Sequence, residues 1–81
     1  MYYIGVKEVE PQSDYTLLLT FENGEQRKFD MNPYLNIGPV FWALKDPDMF
    51  NTVRVCSKTV AWANEVDLDP EMLYPNSTQL V

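Results

Sequence analysis

The chain contains no histidine, so the side chain most often used as a general base near neutral pH is missing. Its serine and threonine hydroxyls therefore have no imidazole partner to activate them. Cys56 is the single cysteine. It falls at the tip of an expected hairpin with Arg54 and Lys58 nearby, cations of the kind that lower a thiol pKa. A redox or nucleophilic thiol and an incidental one both fit that placement, and the incidental reading is the expectation. The acidic run "EVDLDPE" sets Glu65, Asp67, Asp69 and Glu71 at alternate positions. Calcium loops also alternate carboxylates, but they require a glycine and a terminal bidentate glutamate that this run lacks. Asp69 and Glu71 have a folding role instead, as a helix cap and a first-turn acid. The three glycines, Gly5, Gly24 and Gly38, are too dispersed for a phosphate-binding loop. Paired carboxylates of the glycosidase type need only meet in space, so spacing does not exclude them. No catalytic residue, metal ligand or cofactor is expected.

The remaining signal is aromatic: two Trp, five Tyr and four Phe in 81 residues. Most such residues are core. Trp42 stands apart, because the short helix expected to carry it already fills an inner face with Val40, Phe41 and Leu44. An exposed Trp42, with Tyr34, would anchor an interface; the alternative is a Trp42 folded over a sheet edge. A second candidate is a cleft near Trp62, Asn64 and Asp67.

Composition narrows the partners. Twelve acidic residues against six basic ones give a net charge of −6. Nucleic-acid binding depends on clustered cations that neutralise phosphates, and the six here are scattered apart from Arg27-Lys28. Direct nucleic-acid binding is not expected, whereas a basic protein partner would be attracted. A lone thiol suits a reducing cytoplasm. The N-terminus lacks a basic region followed by an apolar run, so no signal peptide is expected. No apolar stretch reaches the roughly 18 residues of a membrane span. A chain this short buries roughly 60–65% of its unfolded surface, so homodimerisation or a partner can contribute to stability.

The elements that must position these groups are legible in part. A first strand is expected over residues 3–10, with a bulge near Gly5 or Lys7 where alternation breaks. Residues 11–14 form a turn cluster. Residues 15–21 alternate cleanly, with Tyr15, Leu17, Leu19 and Phe21 on one side. The turn that follows fixes the register. A two-residue Asn23-Gly24 loop would set Glu22 against Glu25 and Leu17 and Leu19 against Asp30 and Lys28. A three-residue loop, with Gly24 left-handed, pairs Phe21 with Glu25, Leu17 with Phe29 and Leu19 with Arg27. The second keeps the apolar residues on one face and is favoured, since a one-residue slip exchanges the faces.

Asn32-Pro33 reads as a cap followed by proline at the first helical position, opening one turn through Leu35. A helix over 38–45 follows, and Asp46-Pro47-Asp48 stops it and starts a turn carrying Met49 and Phe50. Residues 52–55 and 59–62 form a second hairpin around Cys56-Ser57-Lys58. Asp69-Pro70-Glu71 repeats the cap-then-proline pattern, with Leu73 and Tyr74 inward. The expected fold is α+β: a small antiparallel sheet of two hairpins plus an N-terminal strand, with short helices between the hairpins and at the C-terminus. One domain covers 1–74, and 75–81 is a flexible tail.

The run "LLLTFENGEQRKFD", followed by "FWALKDPDMF", "VRV" and "VAWANEVDLDPEMLY", resembles the small bacterial proteins of the domain of unknown function 2442 family. The likeness runs from about Ile4 to Tyr74. Glu65 departs from it, since many relatives have glycine there. The resemblance implies an α+β fold and no catalytic residues. It also implies a protein encoded beside a second small protein, the pair suspected of forming a toxin–antitoxin module with this family as antitoxin. Some relatives add a C-terminal helix-turn-helix domain, for which the residues after Tyr74 are too few. The resulting expectation is a non-enzymatic, cytoplasmic interaction protein, with a small-ligand or regulatory domain as the alternative.

Overall fold

Strand β2 (Thr16–Phe21) is the centre of the fold, because its alternation places Leu17, Leu19 and Phe21 on one face with no exposure. It pairs antiparallel with β1 (Val6–Pro11) on one side and β3 (Gln26–Asp30) on the other. In the computed structural model, which describes residues 3–80, the β1–β2 register shifts between Val6 and Glu8. The bulged residue is Lys7, one of the two positions expected. Gly5 sits just before it because the second hairpin closes there: the Gly5 carbonyl accepts from Glu22 N, and Val6 N donates to the Lys58 carbonyl at 2.9 Å. A Cβ at Gly5 would lie 3.0 Å from Lys58 Cβ and 2.6 Å from Glu22 Oε1.

The β2–β3 turn has the three-residue loop. Phe21 N donates to the Glu25 carbonyl at 2.9 Å, Gly24 has φ +86°, and Leu17 and Leu19 face Phe29 and Arg27.

Between the hairpins the chain makes short turns: a 3₁₀ turn at Asn32–Tyr34, α1 (Pro39–Trp42), a 3₁₀ turn at Ala43–Lys45, and α2 (Pro47–Phe50). Two expectations change here. Asn32 lies inside the first turn and does not cap it. The cap position falls on Met31, which makes no side-chain cap bond, and Asp30 Oδ1 accepts from Asn32 N at 2.9 Å just before it. The Asn32 amide instead donates to the Asp14 carbonyl and to Asp30. Val40 points outward, 60% exposed. The helix tightens to 3₁₀ after Trp42, and that geometry aligns residues three apart, so Phe41 and Leu44 form the inner stripe without it. Asp69 caps as expected, accepting from Glu71 N, and Asp46, expected to stop one helix and start the next turn, also caps α2 by accepting from Asp48 N.

Strands β4 (Arg54–Cys56) and β5 (Thr59–Ala61) form the second hairpin. Its turn is only Ser57-Lys58, both left-handed at φ +51° and +69°, the handedness that matches strand twist. After α3 (Pro70–Leu73) the chain departs from expectation. Residues 78–79, placed in a free tail, form β6 (Thr78–Gln79) against β3, giving a four-stranded sheet of order β1-β2-β3-β6. The anchor is Arg27, whose Cζ lies 4.0 Å over the Tyr74 ring and whose Nη1 donates to the Ser77 carbonyl. Tyr74 packs edge-on against Phe21. Its hydroxyl donates to Glu25 at 2.5 Å, and Glu25 also takes Arg27 Nε at 2.7 Å.

That cluster makes acid sensitivity predictable. The Tyr74 hydroxyl, opposed in part by burial and then aided by Arg27, holds the Glu25 carboxyl below its usual range. The Thr16 hydroxyl does the same for Asp14. A carboxyl depressed in the folded state contributes stability above its ordinary pKa and loses it as pH falls through the folded value. Urea unfolding across a pH series should show midpoints falling once pH enters and passes below the ordinary carboxylate range. Tyr74→Phe should flatten that fall; an unchanged slope would remove Glu25 as its source.

The sheet is covered on one face only. Leu35, Leu44, Phe50, Val60, Trp62, Val66, Leu68 and Leu73 close over it as one cluster with the inner residues of β1–β3.

Candidate functional site

The segment 33–44 carries no charged residue, in a chain where 22% of residues are charged. Pro33 and Pro39 start its two turns by fixing the backbone where no amide donor is needed. Leu35 and Leu44, both buried, pin it to the core. The Tyr15 hydroxyl, donating to the Lys45 carbonyl, holds its far end to the start of β2. Between these anchors Ile37, Val40 and Trp42 remain 66%, 60% and 55% exposed. They are three of the five large exposed hydrophobic residues among those described, the others being Tyr3 and Leu80. Concentrated exposure of this kind marks interaction surfaces more often than scattered apolar residues do.

Trp42 is thus exposed and does not fold over the sheet edge. Tyr34 is only half-buried, but its ring stacks on Phe29 with centroids 5.5 Å apart, so one of its faces is already occupied.

The second candidate does not assemble. Trp62 is fully buried and donates its indole N–H to the Phe50 carbonyl at 3.0 Å; it is core and cannot line a cleft. Asn64 shapes a turn, its side-chain oxygen accepting from Val66 N. Asp67 bridges to Ala61 through its backbone and leaves its side chain exposed. A filled core beside a solvated carboxylate is a structural turn, not a pocket.

Glu65 in this turn has φ +69°, a conformation that favours glycine. Glu65→Gly is expected to raise stability by up to about 1 kcal/mol, less the extra freedom glycine gives the unfolded chain. Urea denaturation checks it, and a destabilisation would mean the Glu65 side chain makes an offsetting contribution.

The family described as "Protein of unknown function (DUF2442)" matches residues 6–79, from the first residue of β1 to the last of β6. The chain belongs to the DUF2442 family. No curated protein and no solved structure matches it. The span of the DUF2442 match places β6 inside the domain, in keeping with its pairing to β3.

One feature of this DUF2442 domain escaped the sequence. A cleft of about 220 Å³ opens between the β1–β2 turn and α2, lined by Gln12, Ser13, Tyr15, Pro47, Phe50 and Asn51. Tyr15 forms its wall in the left-handed region, at φ +62°. It is the last residue of a three-residue β1–β2 loop closed by Gln12 N on the Thr16 carbonyl, the position that Gly24 fills in the next turn. Among the described residues no three His, Cys, Asp or Glu side chains converge as metal ligands, and no helix is long and apolar enough to cross a membrane.

Proposed function

We propose that this DUF2442 protein is a non-enzymatic protein-interaction module, the antitoxin-like member of a bacterial two-gene pair, acting in the cytoplasm. The observation that carries the reading is the uncharged 33–44 segment, anchored at both ends yet exposing Ile37, Val40 and Trp42. A monomer gains nothing by holding a tryptophan out in water, whereas a partner that buries it gains a well-placed anchor. The net charge of −6 supports a basic partner, whose approach it would steer. The gene-neighbour role follows from the family resemblance. Co-expression with the product of the adjacent reading frame, followed by light scattering on the purified material, tests the proposal. A stoichiometric complex is expected; a neighbour left behind while this protein purifies alone would remove the antitoxin reading.

A further inference from the structure

The cleft beside Tyr15 is chemically unlike the rest of the surface. None of its six lining residues is charged, in a chain carrying 18 charged residues, six basic and twelve acidic. Its floor is aromatic and apolar: Tyr15 meets Phe50 edge-on at 5.2 Å, with Pro47 beside them. Gln12, Asn51 and Ser13 complete the lining and bring two carboxamides and a hydroxyl to it. The local main chain satisfies itself, with Gln12 N donating to the Thr16 carbonyl and Asn51 N to the Pro47 carbonyl. The side chains of Gln12, Ser13 and Asn51 make no hydrogen bond to any described residue; the neighbouring polar side chains bond elsewhere, Thr16 to Asp14 and Thr52 to Met49.

The wall is also fixed at a cost. A bulky residue at φ +62° is an outlier that surrounding structure must impose. Here the β1–β2 turn imposes it: Gln12 N donates to the Thr16 carbonyl, closing a three-residue loop whose last residue, Tyr15, takes the left-handed position. The hydroxyl bond to the Lys45 carbonyl and the packing on Phe50 then hold the ring. Together they lock the ring against the cleft and deny it the freedom of an ordinary surface tyrosine.

We infer that this cleft is a binding site for a small, uncharged, planar heterocycle with an amide-like edge, the chemistry of a free nucleobase. Carboxamides offer one acceptor and two donors each. They therefore match a ring that presents N–H and C=O groups side by side, as Asn and Gln do toward bases. An aromatic wall supplies the stacking or edge contact for such a ring. Phosphorylated forms are disfavoured on charge, because no cation lines the cleft and the chain is strongly acidic. The cleft shares the Tyr15–Lys45 bond with the far anchor of the 33–44 segment but none of its lining residues with that surface, so either reading can stand without the other.

Titration of the ¹⁵N-labelled full chain with uracil, followed by amide chemical shifts, tests the inference. Saturable shifts confined to residues 12–15 and 47–51 are expected, with uridine 5′-monophosphate binding several-fold more weakly. Asn51→Ala and Gln12→Ala should each weaken uracil binding about tenfold. Both sites lie at the surface, so the variants should keep the unliganded amide spectrum elsewhere. Shifts that never saturate, that ignore both substitutions, or that appear equally with the monophosphate would overturn the inference. So would saturable binding of glucose in place of uracil, which would assign the cleft to carbohydrate.

Discussion

Trp62→Ala is expected to be the most destabilising single substitution in this protein, removing about 3–5 kcal/mol. The ring has no exposure and lies 6.2 Å from Phe50, centroid to centroid. It joins the last residues of the second hairpin to α2 across the whole core. Truncation leaves a cavity that neighbours held in separate elements cannot easily collapse into. It also leaves the Phe50 carbonyl without its indole donor, an additional penalty of roughly 1–3 kcal/mol if water cannot reach it. A domain of this size has roughly 4–12 kcal/mol in total, so the variant should be largely unfolded at physiological temperature. Trp62→Phe separates the two contributions, because it keeps most of the packing and loses only the donor. Circular dichroism through a urea gradient gives both values. A loss below about 1 kcal/mol for the alanine variant would mean that the core does not depend on this ring.

The contrast with Trp42 shows where the sequence was informative. Both tryptophans precede alanine, and composition does not separate them. Trp62 lies two residues after Val60, and strand alternation puts both on one face; each is fully buried. That signal was available but short, and the expectation of a cleft there overrode it. Trp42 was legible for a different reason. Its helix reads as filling an inner face with Val40, Phe41 and Leu44, and although Val40 points outward, a four-residue helix cannot bury every side. The register of the first hairpin was readable because one face had to stay apolar, and Gly24 selected the loop that kept it so. The cap at Asp69 was readable because capping is local. What escaped was non-local. Strand β6 exists because Arg27 and Tyr74, far apart in sequence, stack and carry the chain back to the β3 edge. The cleft exists because α2 packs beside the three-residue β1–β2 loop that ends in the left-handed Tyr15, and nothing near Tyr15 announces that neighbour.

Trp42→Ala should leave folding almost untouched and weaken the complex with the partner severely. The side chain is 55% exposed, and surface substitutions away from caps and networks usually change stability by less than about 0.5 kcal/mol. In the bound state a buried tryptophan at an interface centre is worth 2 kcal/mol or more, which is about thirtyfold in Kd. Val40→Ala and Ile37→Ala, removing smaller side chains from the same segment, should each lower affinity by less. Calorimetric titration against the co-purified neighbour product measures all three, with urea midpoints confirming that the fold is intact. Salt supplies an independent check on the role of charge. If the net charge of −6 acts mainly in steering, raising ionic strength should slow association while leaving dissociation nearly constant. The Trp42 variant should show the reverse, with faster dissociation at an unchanged association rate. Equal affinity of Trp42→Ala and the parent chain would move the interface away from residues 33–44, and with it the surface on which the interaction reading rests.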